Sequence, residues 1–341
     1  MSLNYFITGG AGFIGSNYVQ RLLERGEKVT IYDNLSRAGA PRNLAWLKEA
    51  FGESAFKLII GDVRDAGLLA VSAREADVIV HLAAQVAVTT SVVKPREDFE
   101  INAGGTFNVL EAARLNERKP VVIYTSTNKV YGGMEDVRLV EKASRWEYES
   151  LPFGAPETQP LDFHSPYGCS KGAGDQYVRD YARIYDLPTA VMRQSCIYGP
   201  RQFGVEDQGW VAWMVIAAVT GRQITIYGDG KQIRDLLHVD DLLDAYDAVI
   251  KNIDRVGGQV FNLGGGPQNT MSIWTEFGPM LEKLLGKSIP VGRGDWRPGD
   301  QKVFVADIRK AERELGWKPK INVESGVKLL FDWVSANKNL F

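Results

Sequence analysis

The sequence predicts an α/β protein built on a Rossmann-type, doubly wound parallel sheet, with a smaller mixed C-terminal part. In the first half, short runs rich in β-branched residues alternate with amphipathic helical segments. This alternation is typical of a parallel sheet with helices on both faces. After about Gly199 the pattern becomes less regular, glycine and proline are denser, and most of the tryptophans occur there.

The individual elements follow from this alternation. The predicted strands are Tyr5–Thr8, Lys28–Tyr32, Phe56–Ile60, Asp77–Leu82, Val121–Thr125 and Thr189–Met192. The predicted helices are Phe13–Arg25, Thr106–Asn116 and Tyr167–Tyr185. We divide the chain into residues 1–199 for the sheet domain and residues 200–341 for the smaller part, which we expect to form the second wall of a cleft. This boundary is soft, because chain from the second part can return to the first.

Composition excludes several function classes. The 341 residues carry 40 Lys and Arg against 42 Asp and Glu, a net charge of −2, which argues against nucleic-acid and membrane-surface partners. Two cysteines cannot form a disulfide framework, so we expect a cytoplasmic protein. The sequence shows neither a signal-peptide pattern nor an apolar run of about 18–20 residues that would span a membrane. The three histidines lack metal-ligand spacing, so no metal site is predicted.

A glycine-rich turn follows the first strand and opens the first helix. Glycines 9, 12 and 15 of the segment Thr8–Gly15 allow a tight turn, close approach of a pyrophosphate, and packing of the helix on the sheet. The backbone N–H groups of Phe13 and Ile14 lie at the positive end of that helix and are candidate anion donors. The alternative interpretation is a glycine-rich turn between strand and helix that binds no ligand.

An acidic residue ends the second strand. Asp33 lies 21 residues after Gly12, where a carboxylate accepts hydrogen bonds from the adenosine ribose and repels a 2′-phosphate. The combination predicts a bound dinucleotide and favours NAD over NADP, although Arg37 is close enough to leave NADP open. Alternatively, Asp33 only caps the turn of residues 33–36. The remaining expected cofactor contacts are Asn34, Ser36, Arg37, Asp62, Val63, Leu82, Ala83 and Ala84.

A tyrosine and a lysine stand four residues apart in the third predicted helix. This spacing places the Tyr167 phenol and the Lys171 ammonium on one face of the helix. A nearby ammonium stabilises phenolate, so we expect the pKa of Tyr167 to fall towards the working pH and Tyr167 to act as a general base. Outside the context of a nucleotide-binding fold, a tyrosine and a lysine at this spacing would more often lie on the exposed side of an amphipathic helix.

The glycine spacing, together with Leu82-Ala83-Ala84 after the fourth strand, resembles the extended, sugar-nucleotide-modifying branch of the short-chain dehydrogenase/reductase superfamily. The resemblance covers nearly the whole chain. It implies that Lys171 also contacts the nicotinamide ribose. It further implies that Thr127, with Ser126 as the second candidate, hydrogen-bonds the reacting oxygen.

The residues after Thr127 bear on the reaction type. Related dehydratases and decarboxylases carry acidic residues there, because elimination of water needs an additional acid and base near the sugar. This chain has Asn128 and Lys129, which favours oxidation followed by re-reduction, as in an epimerase. Segments 126–132, 165–172 and 193–204 resemble epimerases that invert C2 of CDP-linked hexoses or dideoxyhexoses.

The resemblance also implies how the substrate is held. Arg234 and Arg297 match positions that grip the diphosphate of the nucleotide sugar, and arginine suits this role because its guanidinium pairs with phosphate oxygens. Arg201 and Gln208 are further candidates for substrate contacts, with Asn128 and Lys129 near the sugar.

Several alternatives stay open at this point. A UDP-sugar 4-epimerase needs the same base and hydride acceptor, so residue chemistry does not separate C2 from C4. An NAD(P)-dependent reductase and a non-catalytic dinucleotide-binding protein are less favoured, the latter because it need not retain a proton relay. The resemblance implies a homo-oligomer, a dimer or a tetramer, with contacts through helices 106–116 and 167–185.

Overall fold

The computed structural model describes residues 2–297 and 300–341. The chain forms two compact units. The first contains residues 1–130, 165–193 and 246–261, and the second contains residues 131–164, 194–245 and 262–341. The sequence predicts a single boundary between residues 199 and 200, whereas each observed unit consists of three segments. Residues 131–164 belong to the second unit, and residues 246–261 return to the first. The two units are therefore nearly equal in length.

The strands are β1 (Asn4–Thr8), β2 (Lys28–Asp33), β3 (Lys57–Ile60), β4 (Val78–His81), β5 (Val121–Thr127), β6 (Leu139–Glu141), β7 (Trp146–Tyr148), β8 (Thr189–Gln194), β9 (Cys196–Tyr198), β10 (Ile224–Tyr227), β11 (Ile233–His238), β12 (Gln259–Leu263), β13 (Thr270–Ser272), β14 (Val291–Gly294) and β15 (Val303–Phe304).

The helices are α1 (Phe13–Glu24), α2 (Ala40–Phe51), α3 (Ala66–Ser72), α4 (Val88–Val93), α5 (Pro95–Phe99), α6 (Gly105–Arg114), α7 (Ser165–Tyr185), α8 (Trp210–Thr220), α9 (Val239–Lys251), α10 (Ile253–Val256), α11 (Phe277–Leu285), α12 (Arg309–Leu315) and α13 (Val323–Ala336). A π-helical segment, Glu100–Gly104, joins α5 to α6, and short 3₁₀ turns occur at Asn128–Tyr131, Pro267–Asn269 and Lys338–Leu340.

A seven-stranded sheet forms the centre of the first unit, in the order β3-β2-β1-β4-β5-β8-β12. The pairs from β3 through β5 are parallel. The predicted Rossmann-type fold class is therefore confirmed, and the six strands and three helices for which the sequence predicts bounds begin and end within two residues of those bounds. The strand order reverses between β1 and β4, and ligands of such sheets bind at the carboxyl ends of the strands beside this reversal.

The central strands read as continuous apolar runs because helices cover both faces of the sheet. All four residues of β4 are buried, and so are the last four of β1. In the second unit, α8 is apolar around its whole circumference and packs in a core with α11 and α13. No helix in the described ranges has the length and apolar character needed to cross a membrane.

Candidate active site

The glycine-rich turn lies between β1 and α1, as the sequence predicts. Gly12 caps α1 with extended backbone, and having no side chain it leaves the first-turn amides uncapped. These amides, from Phe13, Ile14 and Gly15, have no acceptor within a helix of this kind. Together with the positive end of the helix they form a site for an anion.

Two of the glycines are required by space. Gly9 has a φ of +71°, and a Cβ there would stand 2.7 Å from the backbone nitrogen of Ala83. A Cβ on Gly15 would stand 2.3 Å from the carbonyl oxygen of Gly9. The segment 82–84 therefore lies directly against the turn. This glycine cradle fits the pyrophosphate of a dinucleotide.

Asp33 is buried at the end of β2. One carboxylate oxygen accepts the Ala11 N–H at 3.0 Å, and the other accepts the Leu35 N–H at 2.8 Å. Burial raises the pKa of Asp33, and the two backbone hydrogen bonds oppose that rise. The carboxylate thus stabilises the turn, and each oxygen keeps a further lone pair for a ribose hydroxyl.

Asp62 forms a pair that the sequence interpretation missed. Its carboxylate binds the Arg64 guanidinium through two hydrogen bonds, at 2.8 and 2.9 Å, and accepts a third from Asn34 at 3.0 Å. The pair holds the pKa of Asp62 well below its usual range. Asn34 also accepts the Ser36 N–H, so it joins the loop after β2 to the end of β3. Ser36 and Arg37 are exposed, and Val63 is buried.

Tyr167, Lys171 and Thr127 come together in the first unit. Tyr167 and Lys171 lie on α7 and Thr127 ends β5, and all three are at least nine-tenths buried. A hydrogen bond with Thr127 favours the phenolate of Tyr167. The Thr127 hydroxyl also accepts the Lys129 N–H at 3.2 Å and lies 3.3 Å from Oδ1 of Asn128, an alternative acceptor for its one proton. The 3₁₀ turn after β5 thus fixes the hydroxyl beside the tyrosine.

The expected lowering of the Tyr167 pKa by Lys171 is wrong for the structure as it stands. Burial raises the pKa of Tyr167 to about 12 and lowers the pKa of Lys171 to about 7, because both charged forms lose hydration. The Lys171 ammonium lies 4.4 Å from the centre of the Tyr124 ring. The spacing of four residues predicts the shared helix face and carries no information on burial.

Ser126, the second candidate for the role of Thr127, serves a different partner. Its hydroxyl donates to Asp175 at 2.8 Å, because successive side chains of a strand point to opposite faces. Asp175 in turn forms a bidentate ion pair with Arg193, with N–O distances of 2.9 and 3.0 Å. The sequence analysis missed this pair, and the only available signal was Asp175 on the helix face of Tyr167 and Lys171.

In the second unit, Arg234 lies on β11 and is held by an acidic partner. Its guanidinium binds the Asp300 carboxylate at 2.7 Å and the carbonyl of Ile233 at 2.8 Å. Asp300 also accepts a hydrogen bond from Gln232 at 3.4 Å. Pro298 and Gly299, which complete the predicted motif with Arg297 and Asp300, lie outside the described residues.

Arg297 stacks on an aromatic ring of the same unit. Its guanidinium carbon lies 3.9 Å from the centre of the Tyr227 ring, and its nitrogens lie 3.3 Å from the Asp207 carboxylate and 3.2 Å from the Glu206 carbonyl. Gln232 donates to the Tyr227 carbonyl at 2.8 Å, which connects Arg297 to the Arg234 pair. The structure therefore brings the two predicted arginines into one polar cluster.

The remaining predicted substrate residues lie in the loop after β9. Arg201 is half-buried and has a φ of +67°. Gln208 is half-buried and exchanges two backbone hydrogen bonds with Val205, at 2.9 and 3.0 Å, which closes a tight turn. Among the described residues, no group of three or more His, Cys, Asp or Glu side chains is arranged to hold a metal ion.

Comparisons with known proteins agree with this geometry. The family model for GDP-mannose 4,6 dehydratase matches residues 6–330. The CDP-paratose 2-epimerase of Salmonella typhi is 43% identical over 341 residues, covering 98% of this chain and 100% of the relative.

Two solved structures share the fold over the full length. One is the UDP-glucose 4-epimerase of Thermotoga maritima with UDP-glucose, with a TM-score of 0.83 and 29% identity, covering 99% of this chain and 100% of that one. The other is the dTDP-glucose 4,6-dehydratase of Streptomyces venezuelae with NAD bound, with a TM-score of 0.83 and 29% identity, covering 99% of each chain.

We expect Gly9→Ala to abolish dinucleotide retention. The added Cβ needs space that the Ala83 backbone occupies, so the turn must shift. Gly26→Ala is the matched control, because Gly26 has a φ of +74° with nothing within 4 Å of its Cβ position. It carries the same backbone strain without crowding. The measurement is the molar ratio of dinucleotide released from purified protein on denaturation. Equal content in the two variants would contradict the role of the turn.

Breaking the buried Asp175–Arg193 pair is expected to destabilise the protein strongly. Asp175→Asn leaves the buried Arg193 charge without its countercharge and lowers the free energy of unfolding by about 3–5 kcal/mol. Asp244→Asn, which breaks the exposed pair with Lys320, is expected to cost less than about 1 kcal/mol. Urea unfolding followed by circular dichroism compares the two. Similar losses for both variants would show that burial of the pair is unimportant.

Proposed function

Since the chain belongs to the GDP-mannose 4,6-dehydratase family of extended short-chain dehydrogenases/reductases, we propose that it is an NAD-dependent epimerase that inverts C2 of a CDP-linked hexose or dideoxyhexose. The full-length identity of 43% with a CDP-paratose 2-epimerase carries this proposal. The buried set of Thr127, Tyr167 and Lys171 supplies the acid–base chemistry that the reaction needs.

The residues of the glycine turn fit NAD. The tight turn at Gly9 and Gly15 leads into the uncapped N-terminus of α1, where the amides of Phe13 and Ile14 would bind the pyrophosphate oxygens. Asp33 would accept the hydroxyls of the adenosine ribose. When bound, NAD supplies reversible acceptance of a hydride from a C–H bond of the sugar.

Other parts of the first unit would line the cofactor site. Asn34, Ser36, Arg37, Asp62 and Val63 would surround the adenosine, and Leu82, Ala83 and Ala84 would run along the opposite side of the turn. Lys171 would hydrogen-bond the nicotinamide ribose, as the family resemblance implies.

Tyr167 is the proposed base. As the sugar is oxidised, its phenolate takes the proton from the hydroxyl on the carbon that is inverted, and as the keto sugar is reduced on its other face, the same group returns that proton. Thr127 would hold the reacting oxygen in both directions. A pKa of about 12 keeps Tyr167 protonated in the free chain, so base function requires a neighbouring cation, and Lys171 is the proposed one.

The arginine cluster of the second unit would bind the diphosphate of the substrate. Arg234 and Arg297 present planar guanidinium groups, which pair with two phosphate oxygens at once. Arg201 and Gln208, in the loop after β9, are the proposed additional contacts. In the structure the arginines are paired with Asp300 and Asp207, so we propose that the diphosphate takes the place of these carboxylates.

Asn128 and Lys129 favour an epimerase over a dehydratase. Both follow Thr127, where dehydratases of the family carry acidic residues, and neither an amide nor an ammonium at this place can act as the base for an elimination. We propose that these two side chains contact the sugar. A UDP-sugar 4-epimerase is the second candidate, supported by the full-length similarity to the UDP-glucose 4-epimerase of Thermotoga maritima.

We further propose that the protein is a homo-oligomer built from a dimer that pairs α6 and α7. Apolar side chains are exposed on these helices or at the end of α6, namely Phe107, Leu115, Tyr177, Ile184 and Tyr185. The Phe107 and Tyr177 rings lie 5.9 Å apart, so the two helices present one continuous patch. The same patch of a second chain would cover this patch in a symmetric dimer. We also propose a cytoplasmic location, because two cysteines in 341 residues cannot form a disulfide framework.

The chemistry is tested with CDP- and UDP-hexoses in deuterated water, without added cofactor, and with NMR of the products. We expect inversion at C2 of the CDP-sugar with no deuterium at the inverted carbon, because the hydride returns to the sugar that lost it. Deuterium at that carbon would indicate carbanion chemistry and overturn the mechanism. Inversion at C4 of the UDP-sugar alone would favour the second candidate.

Removing the Tyr167 hydroxyl is expected to stop turnover and to leave the dinucleotide bound. Tyr167→Phe should lower kcat by at least about a hundredfold, since a positioned general base contributes that much or more. Tyr198→Phe is the control, because Tyr198 is buried and its hydroxyl has no hydrogen-bond partner among the described residues. Full activity of Tyr167→Phe would remove Tyr167 from its role.

The dimer is tested by light scattering after size exclusion. Ile184→Glu places a charge at a position that is 63% exposed in the single chain and is expected to give monomers, whereas the parent elutes as a dimer or larger. Leu329→Glu makes the same kind of change at a 49% exposed position of α13 and should leave the mass unchanged. A monomeric parent would refute the proposed interface.

A further inference from the structure

A buried carboxylate lies beneath the first turn of α7. Asp98 has no exposed surface. One of its oxygens accepts the Ser170 hydroxyl at 2.5 Å, and the other accepts side-chain amides of Gln85 at 2.8 Å and Asn102 at 3.1 Å. Burial raises the pKa of Asp98, and the hydrogen bonds from Ser170 and Gln85 oppose that rise because they stabilise the charged form.

These partners come from separate parts of the first unit. Gln85 follows the segment 82–84 that lies against the glycine turn, and its backbone N–H donates to Asn102 at 2.9 Å. Asn102 belongs to the π-helical segment between α5 and α6, a geometry often found at functional sites. Ser170 stands between Tyr167 and Lys171 on α7. Asp98 thus joins the cofactor side of the site to the helix that carries the base.

The charge of Asp98 acts on both reacting groups. It raises the pKa of Tyr167, since it disfavours phenolate, and it raises the pKa of Lys171, since it favours ammonium. Lys171 favours the charged form of Asp98, against the larger rise in pKa that burial causes. Each of the two groups therefore stabilises the charged form of the other.

The other ionisable groups around Lys171 are balanced or neutral. Asp175 raises the pKa of Lys171 more than Asp98 does, and it also forms the bidentate pair with Arg193. Burial lowers the pKa of His81 to about 3 and raises that of Tyr124, so both stay neutral near pH 7. The hydrogen-bond donors to Asp98 are neutral, so none of them balances its charge, and Lys171 is the cation that its charge affects.

From this arrangement we propose that Asp98 is a positioning residue for the epimerisation: it fixes the first turn of α7 through Ser170, and its charge shifts the pH at which Tyr167 becomes competent as a base. The proposal rests on the function proposed above for Tyr167. It assigns a role in the chemistry to a residue that the substrate need not touch.

The charge is tested with Asp98→Asn, which has the same shape. The amide oxygen can still accept from Gln85 and Asn102, and its NH₂ group can donate to the Ser170 hydroxyl. Loss of the negative charge lowers the pKa of both Tyr167 and Lys171, so the acidic and the basic limb of the kcat–pH profile are both expected to move to lower pH, by about one unit. A profile that keeps its acidic limb in place would overturn the proposal.

The neighbouring carboxylate provides the matched control. Glu97 adjoins Asp98 on α5, is partly exposed, and pairs with Lys94 at 3.1 Å. Glu97→Gln removes one negative charge from the same turn of helix, and water screens that charge, so the kcat–pH profile is expected to stay unchanged. A shift as large as that of Asp98→Asn would mean that overall charge, and not the buried carboxylate, causes the effect.

The positioning part is tested with Ser170→Ala. This variant keeps the charge of Asp98 and removes its hydrogen bond to α7, so kcat is expected to fall about tenfold while the acidic limb stays in place. A kcat within twofold of the parent value would overturn the positioning role. This test does not depend on Asp98→Asn, so it still decides the question if that variant does not fold.

A stability cycle tests the pair without turnover. Asp98→Asn, Lys171→Met and the double variant are compared with the parent by urea unfolding. Because each single variant leaves a buried charge without its partner, the double variant is expected to be more stable than the sum of the two losses predicts. Additive losses would overturn the pairing. An inactive parent would refute the proposed function alone, since this cycle needs no substrate.

Discussion

The arrangement of the candidate catalytic residues depends on the buried ion pair between Asp175 and Arg193. Both side chains are almost fully excluded from water, and Ser126 supplies a further hydrogen bond to the carboxylate. A buried pair of this kind contributes little net stability over apolar packing, but it is strongly directional. Here it joins α7 to β5 and β8. Asp175 follows Lys171 by four residues and Tyr167 by eight, so fixing Asp175 orients the helix face that carries both.

A second constraint runs from the glycine turn to the same helix. The Ala83 N–H donates to the Thr8 hydroxyl, which bonds to Nδ1 of His81, and Nε2 of His81 bonds to Thr106, whose hydroxyl donates to the carbonyl of Asn102. The directions are consistent only if His81 is neutral and carries its proton on Nε2. Burial ensures the neutral form by lowering the pKa of His81 to about 3. The cofactor turn and the π-helical segment are thus connected by one fully satisfied polar chain, and the loss of any member leaves a buried polar atom unpaired.

The sequence predicted those features that local spacing determines. The strands and helices of the first half repeat with clear periods, and the glycines at 9 and 15 are demanded by backbone contacts that glycine alone allows. It did not predict Asp98, because its partner Ser170 lies 72 positions away and nothing in the neighbourhood of Asp98 distinguishes it from the exposed acids around it. Nor did it predict the direction of the Tyr167 pKa, since burial is a property of the folded chain. The interleaved units escaped prediction for the same reason.

Ion pairs in this protein divide according to burial, and the division separates the pair that holds α7 in place from the pairs at the proposed substrate-binding arginines. Asp175 and Arg193 are dry and bidentate, so exchanging either partner would leave a buried charge. The pairs of Arg234 with Asp300 and of Arg297 with Asp207 keep 12–49% of their side-chain surfaces exposed. Water stabilises the separated charges there, so exchange of a carboxylate for another anion costs little. A diphosphate carries more charge than one carboxylate and offers several oxygens to each guanidinium, which favours it in that exchange. The acidic partners would then keep the arginines ordered before substrate arrives, without competing strongly for them.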